Sequence, residues 1–101
     1  MEQFKLEGKV ALVTGTSYDI GFAIASALAG TETTIVFNDL KQEFVDKGLR
    51  AYKEAGIEAK GYICDVTDEK AVDAMVAQIE KEVGTIDILV NNADIIISNA
   101  L

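Results

Sequence analysis

A chain of 101 residues that is 50% hydrophobic and 26% charged, with no proline, has the composition of one compact soluble unit and not of a disordered tail. A formal net charge of −8 with only nine Lys and Arg among seventeen carboxylates argues against a nucleic-acid partner, which needs clustered cations to neutralise phosphates. A single cysteine, Cys64, excludes an internal disulfide and fits a reduced, buried thiol in a cytoplasmic protein. No apolar run is long enough to cross a bilayer, so no membrane partner is expected. The N-terminal MEQFKLEGK lacks an apolar signal core, giving a cytoplasmic address by default.

Short β-branched runs alternate with amphipathic segments, the pattern of βαβ units around a parallel sheet. Lys9–Thr14 (KVALVT) is nearly all apolar, as a strand covered on both faces must be. Ile20, Ala23, Ile24, Ala27 and Leu28 then recur at helical spacing, and Gly30 is placed to stop the helix. TTIVFN from Thr33 is the second strand. A second helix begins near Leu40, with Val45, Leu49 and Tyr52 on one face and Gly56 as terminator. AKGYICDV is the third strand, and Thr67, followed by Asp68 and Glu69, begins a third helix marked by Val72, Met75, Val76, Ile79 and Val83. IDILVNNA is the fourth strand, followed only by the apolar DIIISNAL. Right-handed crossovers leave few topologies, and the one expected is the first half of a doubly wound nucleotide-binding sheet in the order 3-2-1-4, a three-layer α/β half-sheet of the Rossmann type with helices on both faces, occupying residues 1–101 as one dinucleotide-binding domain.

The turn between the first strand and its helix is glycine-bearing. Glycine permits unusual backbone angles, lets main chain approach a ligand and leaves N–H groups free for phosphate. TGTSYDIG resembles the TGxxxGxG signature of the short-chain dehydrogenase/reductase family, with Thr14, Gly15 and Gly21 matching. FNDL, CDVTD and DILVNNA follow in that family's order and spacing; FNDL and CDVTDE are similar to segments of its gluconate 5-dehydrogenases.

The resemblance implies NAD or NADP as cofactor and, in a complete member, reversible hydride transfer between nicotinamide and an alcohol or ketone carbon. It places Gly15, Thr16, Ser17, Tyr18, Ile20 and Gly21 at the pyrophosphate, Asp39 at the adenosine ribose, Asp65 and Val66 at adenine, and Asn91, Asn92 and Ala93 beside the nicotinamide ribose. Each position has a structural alternative. Asp39 either faces ribose or caps the second helix, Asp65 either meets adenine or terminates its strand, and the asparagines either serve a ligand or satisfy a buried strand end. An Asp39 facing ribose favours NAD over NADP, while Lys41 keeps NADP open.

Three departures weaken the functional side. Asp19 replaces the middle glycine of the phosphate turn, and Asp94 replaces the glycine that closes the family's NNAG motif. Two like charges 5 Å apart repel by roughly 0.8 kcal/mol in water and roughly 3 kcal/mol at an effective dielectric near 20, enough to weaken an anionic cofactor. Alternatively Asp19 caps a helix start and stands in for phosphate. The third departure is the absence of a catalytic Tyr with Lys four residues on: Tyr18, Tyr52 and Tyr62 are followed at that offset by Phe22, Gly56 and Val66. No catalytic residue and no metal ligand set is identified.

Two functions therefore compete: the cofactor-binding half of an NAD(P)-dependent oxidoreductase, inactive alone, or a non-catalytic Rossmann module that binds cofactor weakly or not at all. A receiver-like signalling domain fits the alternation but lacks the acidic phosphorylation cluster. The fourth strand is expected to expose an apolar, unpaired edge through which the chain self-associates.

Overall fold

The computed structural model describes residues 8–14, 20–91 and 94–97. Five strands form one sheet in the order β3-β2-β1-β4-β5, with β1 at Val10–Thr14, β2 at Thr34–Asp39, β3 at Ala59–Ile63, β4 at Ile88–Asn91 and β5 at Asp94–Ile97. The first four are parallel and carry the expected 3-2-1-4 order. Helices α1 (Ile20–Ala29), α2 (Gln42–Glu54) and α3 (Glu69–Glu82) connect them.

Side chains alternate along β1 because successive Cβ atoms leave opposite faces of a strand. Ala11 and Val13 join Ala25 of α1 and Val45 and Tyr52 of α2 in one buried cluster; Val10 and Leu12 join Met75 and Ile79 of α3 in the other. The sheet is thus covered on both faces, with α1 and α2 on one and α3 on the other. Full burial of Ile35, Ile79 and Ile88 contributes about 1.5–3 kcal/mol apiece.

The helix ends agree with the expectation in part. α1 stops at Ala29, directly before Gly30, as expected, and the left-handed residue that follows is Glu32 at φ 64°, its amide donating to the Ala29 carbonyl. At α2 the N-cap is Lys41, without a side-chain cap, so Asp39 does not cap the helix and instead closes β2. At α3 the cap is Asp68, whose Oδ1 accepts from the Lys70 and Ala71 amides, and not Thr67.

The expected open edge on the fourth strand is also corrected. Residues 94–97 turn back antiparallel and cover β4, pairing Ile88 with Ile97, Leu89 with Ile96, Val90 with Ile95 and Asn91 with Asp94. An antiparallel return needs only a two-residue connection, whereas a parallel fifth strand needs a long crossover. Self-association through an exposed β4 edge is therefore not available to this arrangement.

The packing of α2 depends on two glycines around one ring. Phe37 of β2 lies between Gly48 of α2 and Gly61 of β3. A Cβ at Gly48 would meet its ring at 2.6 Å; one at Gly61 would meet the ring at 2.9 Å and Val45 Cγ1 at 2.5 Å. Phe37 also tilts against Tyr52, centroids 5.2 Å apart, so the ring has little room to retreat. On the α3 face, the Tyr62 hydroxyl donates to Glu82 Oε1 at 2.9 Å. Gln78 Nε2 holds Oε2 at 3.1 Å, and Lys60 Nζ lies 3.6 Å from Oε1.

Gly61→Ala is expected to lower stability by about 1–3 kcal/mol in urea unfolding, and Phe37→Leu in the same chain to return part of that loss. Gly48→Ala should cost less, because alanine's helix preference offsets about 1 kcal/mol of the clash. Burial, then the hydrogen bond and charge of Glu82, push the Tyr62 phenol up to about 12. A raised folded pKa gives stability that is complete below the unfolded value near 10 and is lost as pH climbs from there to about 12. Absorbance titration should show the Tyr62 phenol ionising late, and Tyr62→Phe should remove both that step and that alkaline loss of stability.

Candidate functional site

The C-terminal ends of all four parallel strands lie along one rim of the sheet, with the strand order reversing between β1 and β4. Open α/β sheets bind ligands at such a place because connections leave in opposite directions and open a crevice. Thr14 and Asn91 are register partners across the reversal, and the Thr14 hydroxyl donates to the Val90 carbonyl at 3.4 Å. Ile20 and Gly21 occupy the first turn of α1. Gly15, Thr16, Ser17, Tyr18 and Asp19 of the phosphate turn, and Asn92 and Ala93 at the far side, lie outside the described residues.

The best-defined part of the rim is the junction of β2 and β3. Asp39 is buried at 5% exposure and its Oδ1 accepts from the Leu40 amide at 2.8 Å. Its carbonyl accepts from the Cys64 amide at 2.9 Å, and the Asn38 side-chain amide donates to the Cys64 carbonyl at 3.2 Å. Two hydrogen bonds thus stitch Asn38-Asp39 to Cys64. Beyond them, Asp65 Oδ1 accepts from the Thr67 amide at 2.9 Å and hydroxyl at 2.6 Å, closing a tight turn before α3. Those two bonds hold the Asp65 carboxyl below its usual range.

Between these segments is a cavity of about 140 Å³ lined by Asn38, Asp39, Leu40, Cys64, Asp65, Val66 and Thr67. Its mouth is apolar: Leu40 is 50% exposed and Val66 49%. Two such side chains flanking a slot, with carboxylates at its ends, suit a flat ring that carries hydrogen-bond donors. Cys64 is no nucleophile here, because burial and then the charges of Asp65 and Asp68 push its thiol up, leaving it protonated. Among the described residues no cluster of His, Cys, Asp or Glu is arranged to hold a metal ion, and no helix is long and apolar enough to cross a membrane.

The expected residues Asp39, Asp65 and Val66 are therefore brought together around one cavity, while Asn91 stands apart at the end of β4. Sequence reasoning missed Asn38 and Thr67. Asn38, 3% exposed with Oδ1 lacking a hydrogen-bond partner, is a polar residue inside an apolar strand, which was the available signal. Thr67 was read as a helix start because its partner is the residue two before it. A larger cavity, about 740 Å³, lies elsewhere, along the outer edge of β3.

The profile of the family described as short chain dehydrogenase matches residues 9–101. The 2-dehydro-3-deoxy-D-gluconate 5-dehydrogenase of Formosa agariphila is 44% identical over 97 residues, covering 95% of this chain and 37% of that protein. Gluconate 5-dehydrogenase of Gluconobacter oxydans is 42% identical over 92 residues, 91% of this chain and 36% of its own length. The crystal structure of 2-keto-3-deoxy-D-gluconate dehydrogenase from Streptococcus agalactiae superposes with a TM-score of 0.84 at 66% identity, over 92% of this chain and 35% of that one. The chain thus spans little more than a third of the length of these relatives. With the fold, the strand order and the matched residues in agreement, the chain belongs to the short-chain dehydrogenase family.

Proposed function

We infer that these residues form the cofactor-binding portion of a gluconate 5-dehydrogenase-like oxidoreductase, as one dinucleotide-binding unit, and that the β2–β3 cavity takes the adenosine end of NAD. The observation that carries this reading is the buried Asp39 carboxylate at the end of β2, freed from the capping role that was its structural alternative. With Oδ1 on the Leu40 amide, the carboxylate is fixed to accept from a ribose diol and to repel a 2′-phosphate, which favours NAD over NADP. Asp65 and Val66 line the same cavity and would bound its adenine side. Gly15, Thr16, Ser17, Tyr18, Ile20 and Gly21 would hold the pyrophosphate, and Asn91, Asn92 and Ala93 the nicotinamide ribose.

Bound nicotinamide supplies a hydride acceptor or donor. The residues of this chain bind and orient it; no Tyr-Lys pair at the family's spacing is present among the 101 residues to move the accompanying proton, so the chain alone is expected not to turn over. A reduced Cys64 fits a cytoplasmic setting.

The second reading, a module with little grip on cofactor, is favoured by one observation. The β4–β5 hairpin pairs Asp94 with Asn91 at the rim, putting an acidic residue beside the proposed nicotinamide end. Titration with NADH and NADPH separates the two. The expected result is weak NADH binding, weaker NADPH binding, and a gain of about tenfold or more on each of Asp19→Gly and Asp94→Gly. Asp39→Ala should erase the preference between the two cofactors. No binding by the original chain or by the doubly reverted variant would remove the cofactor reading.

A further inference from the structure

We propose that the outer edge of β3 is a homodimer interface, at which a second copy of this chain pairs antiparallel about a two-fold axis at Gly61. The edge is accessible: a groove of about 740 Å³ follows it, floored by Ala59–Ile63 and walled by Val45 and Leu49 of α2 and by Met75 and Gln78 of α3. The Cys64 amide bonds to β2 through the Asp39 carbonyl. In a parallel ladder without a bulge, main-chain groups alternate in direction. The groups of Lys60 and Tyr62 therefore face β2, and those of Ala59, Gly61 and Ile63 face out into the groove.

Those outward groups suit a two-fold antiparallel partner. With Gly61 opposite Gly61 of the second copy, Ala59 stands opposite Ile63. All three outward residues then fall in hydrogen-bonded pairs, which exchange both N–H···O bonds. Gly61 brings no side chain to the axis. Ile63, 54% exposed in the single chain, gains a cross-strand neighbour.

Charge selects this register and selects a second copy as the occupant. Lys60 falls in a non-hydrogen-bonded pair with Tyr62 of the second copy, the closer of the two pair types. Tyr62 carries Glu82 on its hydroxyl, so each Lys60 ammonium reaches the other copy's Glu82 as readily as its own, now 3.6 Å away. A parallel pairing of this edge with itself would send the two Lys60 side chains to opposite faces of the sheet, away from the other copy's Glu82. The opposite sheet edge offers no such match, since β5 is three isoleucines after one aspartate.

Sedimentation of the full chain over a concentration series should show a monomer–dimer equilibrium. Amide hydrogen exchange at Gly61 and Ile63 should slow as the dimer fills, while exchange in β5 stays unchanged. Lys60→Glu should raise the dimer dissociation constant about tenfold, because two symmetry-related attractive pairs become repulsive, and Lys60→Glu with Glu82→Lys should restore it. Unfolding midpoints of both variants check that the monomer is intact. A monomer persisting to roughly 1 mM would overturn the proposal. So would a dimer whose Gly61 and Ile63 amides exchange equally at low and high concentration, or protection of those amides only by an added foreign peptide.

Discussion

The site end of this molecule depends on how closely α2 can approach the sheet, and that distance is set by one aromatic ring. Phe37 fills the space above two glycines, and a methyl group at either would intrude on it. Because Phe37 is two residues before Asp39 on the same strand, whatever fixes its ring also fixes the register in which β2 delivers Asp39 to the rim. The same close approach brings Val45 over Gly61 and so ties the start of α2 to the middle of β3. The cavity at the rim inherits its shape from an apolar contact that contains none of its lining residues.

Polar contacts then convert that packing into a defined mouth. The Asn38 and Asp39 bonds to Cys64 hold the ends of β2 and β3 together, and the Asp65–Thr67 turn directs the chain into α3. An Asn38 Oδ1 left without a partner is an exception to the rule that buried polar atoms are paired, and it lies at the part of the fold where ligand chemistry is proposed. Rigidity below and unmet polarity at the rim are what a ligand-binding edge requires.

Strand order, the two-sided core and the element types were legible in the residues because each rests on period. β1 alternates between two clusters, and α1 to α3 carry apolar residues every three or four positions. Helix ends were less legible. Cap choice turns on local geometry that several residues of similar chemistry can satisfy: Asp68 in place of Thr67 at α3, and Lys41 rather than the alternative Asp39 at α2. The antiparallel β5 was missed because DIII reads equally well as any buried strand, and direction depends on connection length, which the apolar run does not encode. Of the candidate site, Asp39, Asp65 and Val66 were found through motif likeness. Asn38 and Thr67 were not, since their roles run through the backbone of neighbours.

The β4–β5 hairpin and the two aspartates belong to one electrostatic argument. A dinucleotide site needs main-chain donors without competing anions, and its far end needs room beyond the fourth strand. At Asn91 the chain instead reverses onto itself, with Asp94 as the cross-strand partner. The adenosine end proposed above carries no such conflict, because there the Asp39 carboxylate would answer ribose hydroxyls and not phosphate. On the proposed reading, binding energy is weighted toward the β2–β3 cavity, and affinity for a dinucleotide should follow the adenosine half more closely than the nicotinamide half.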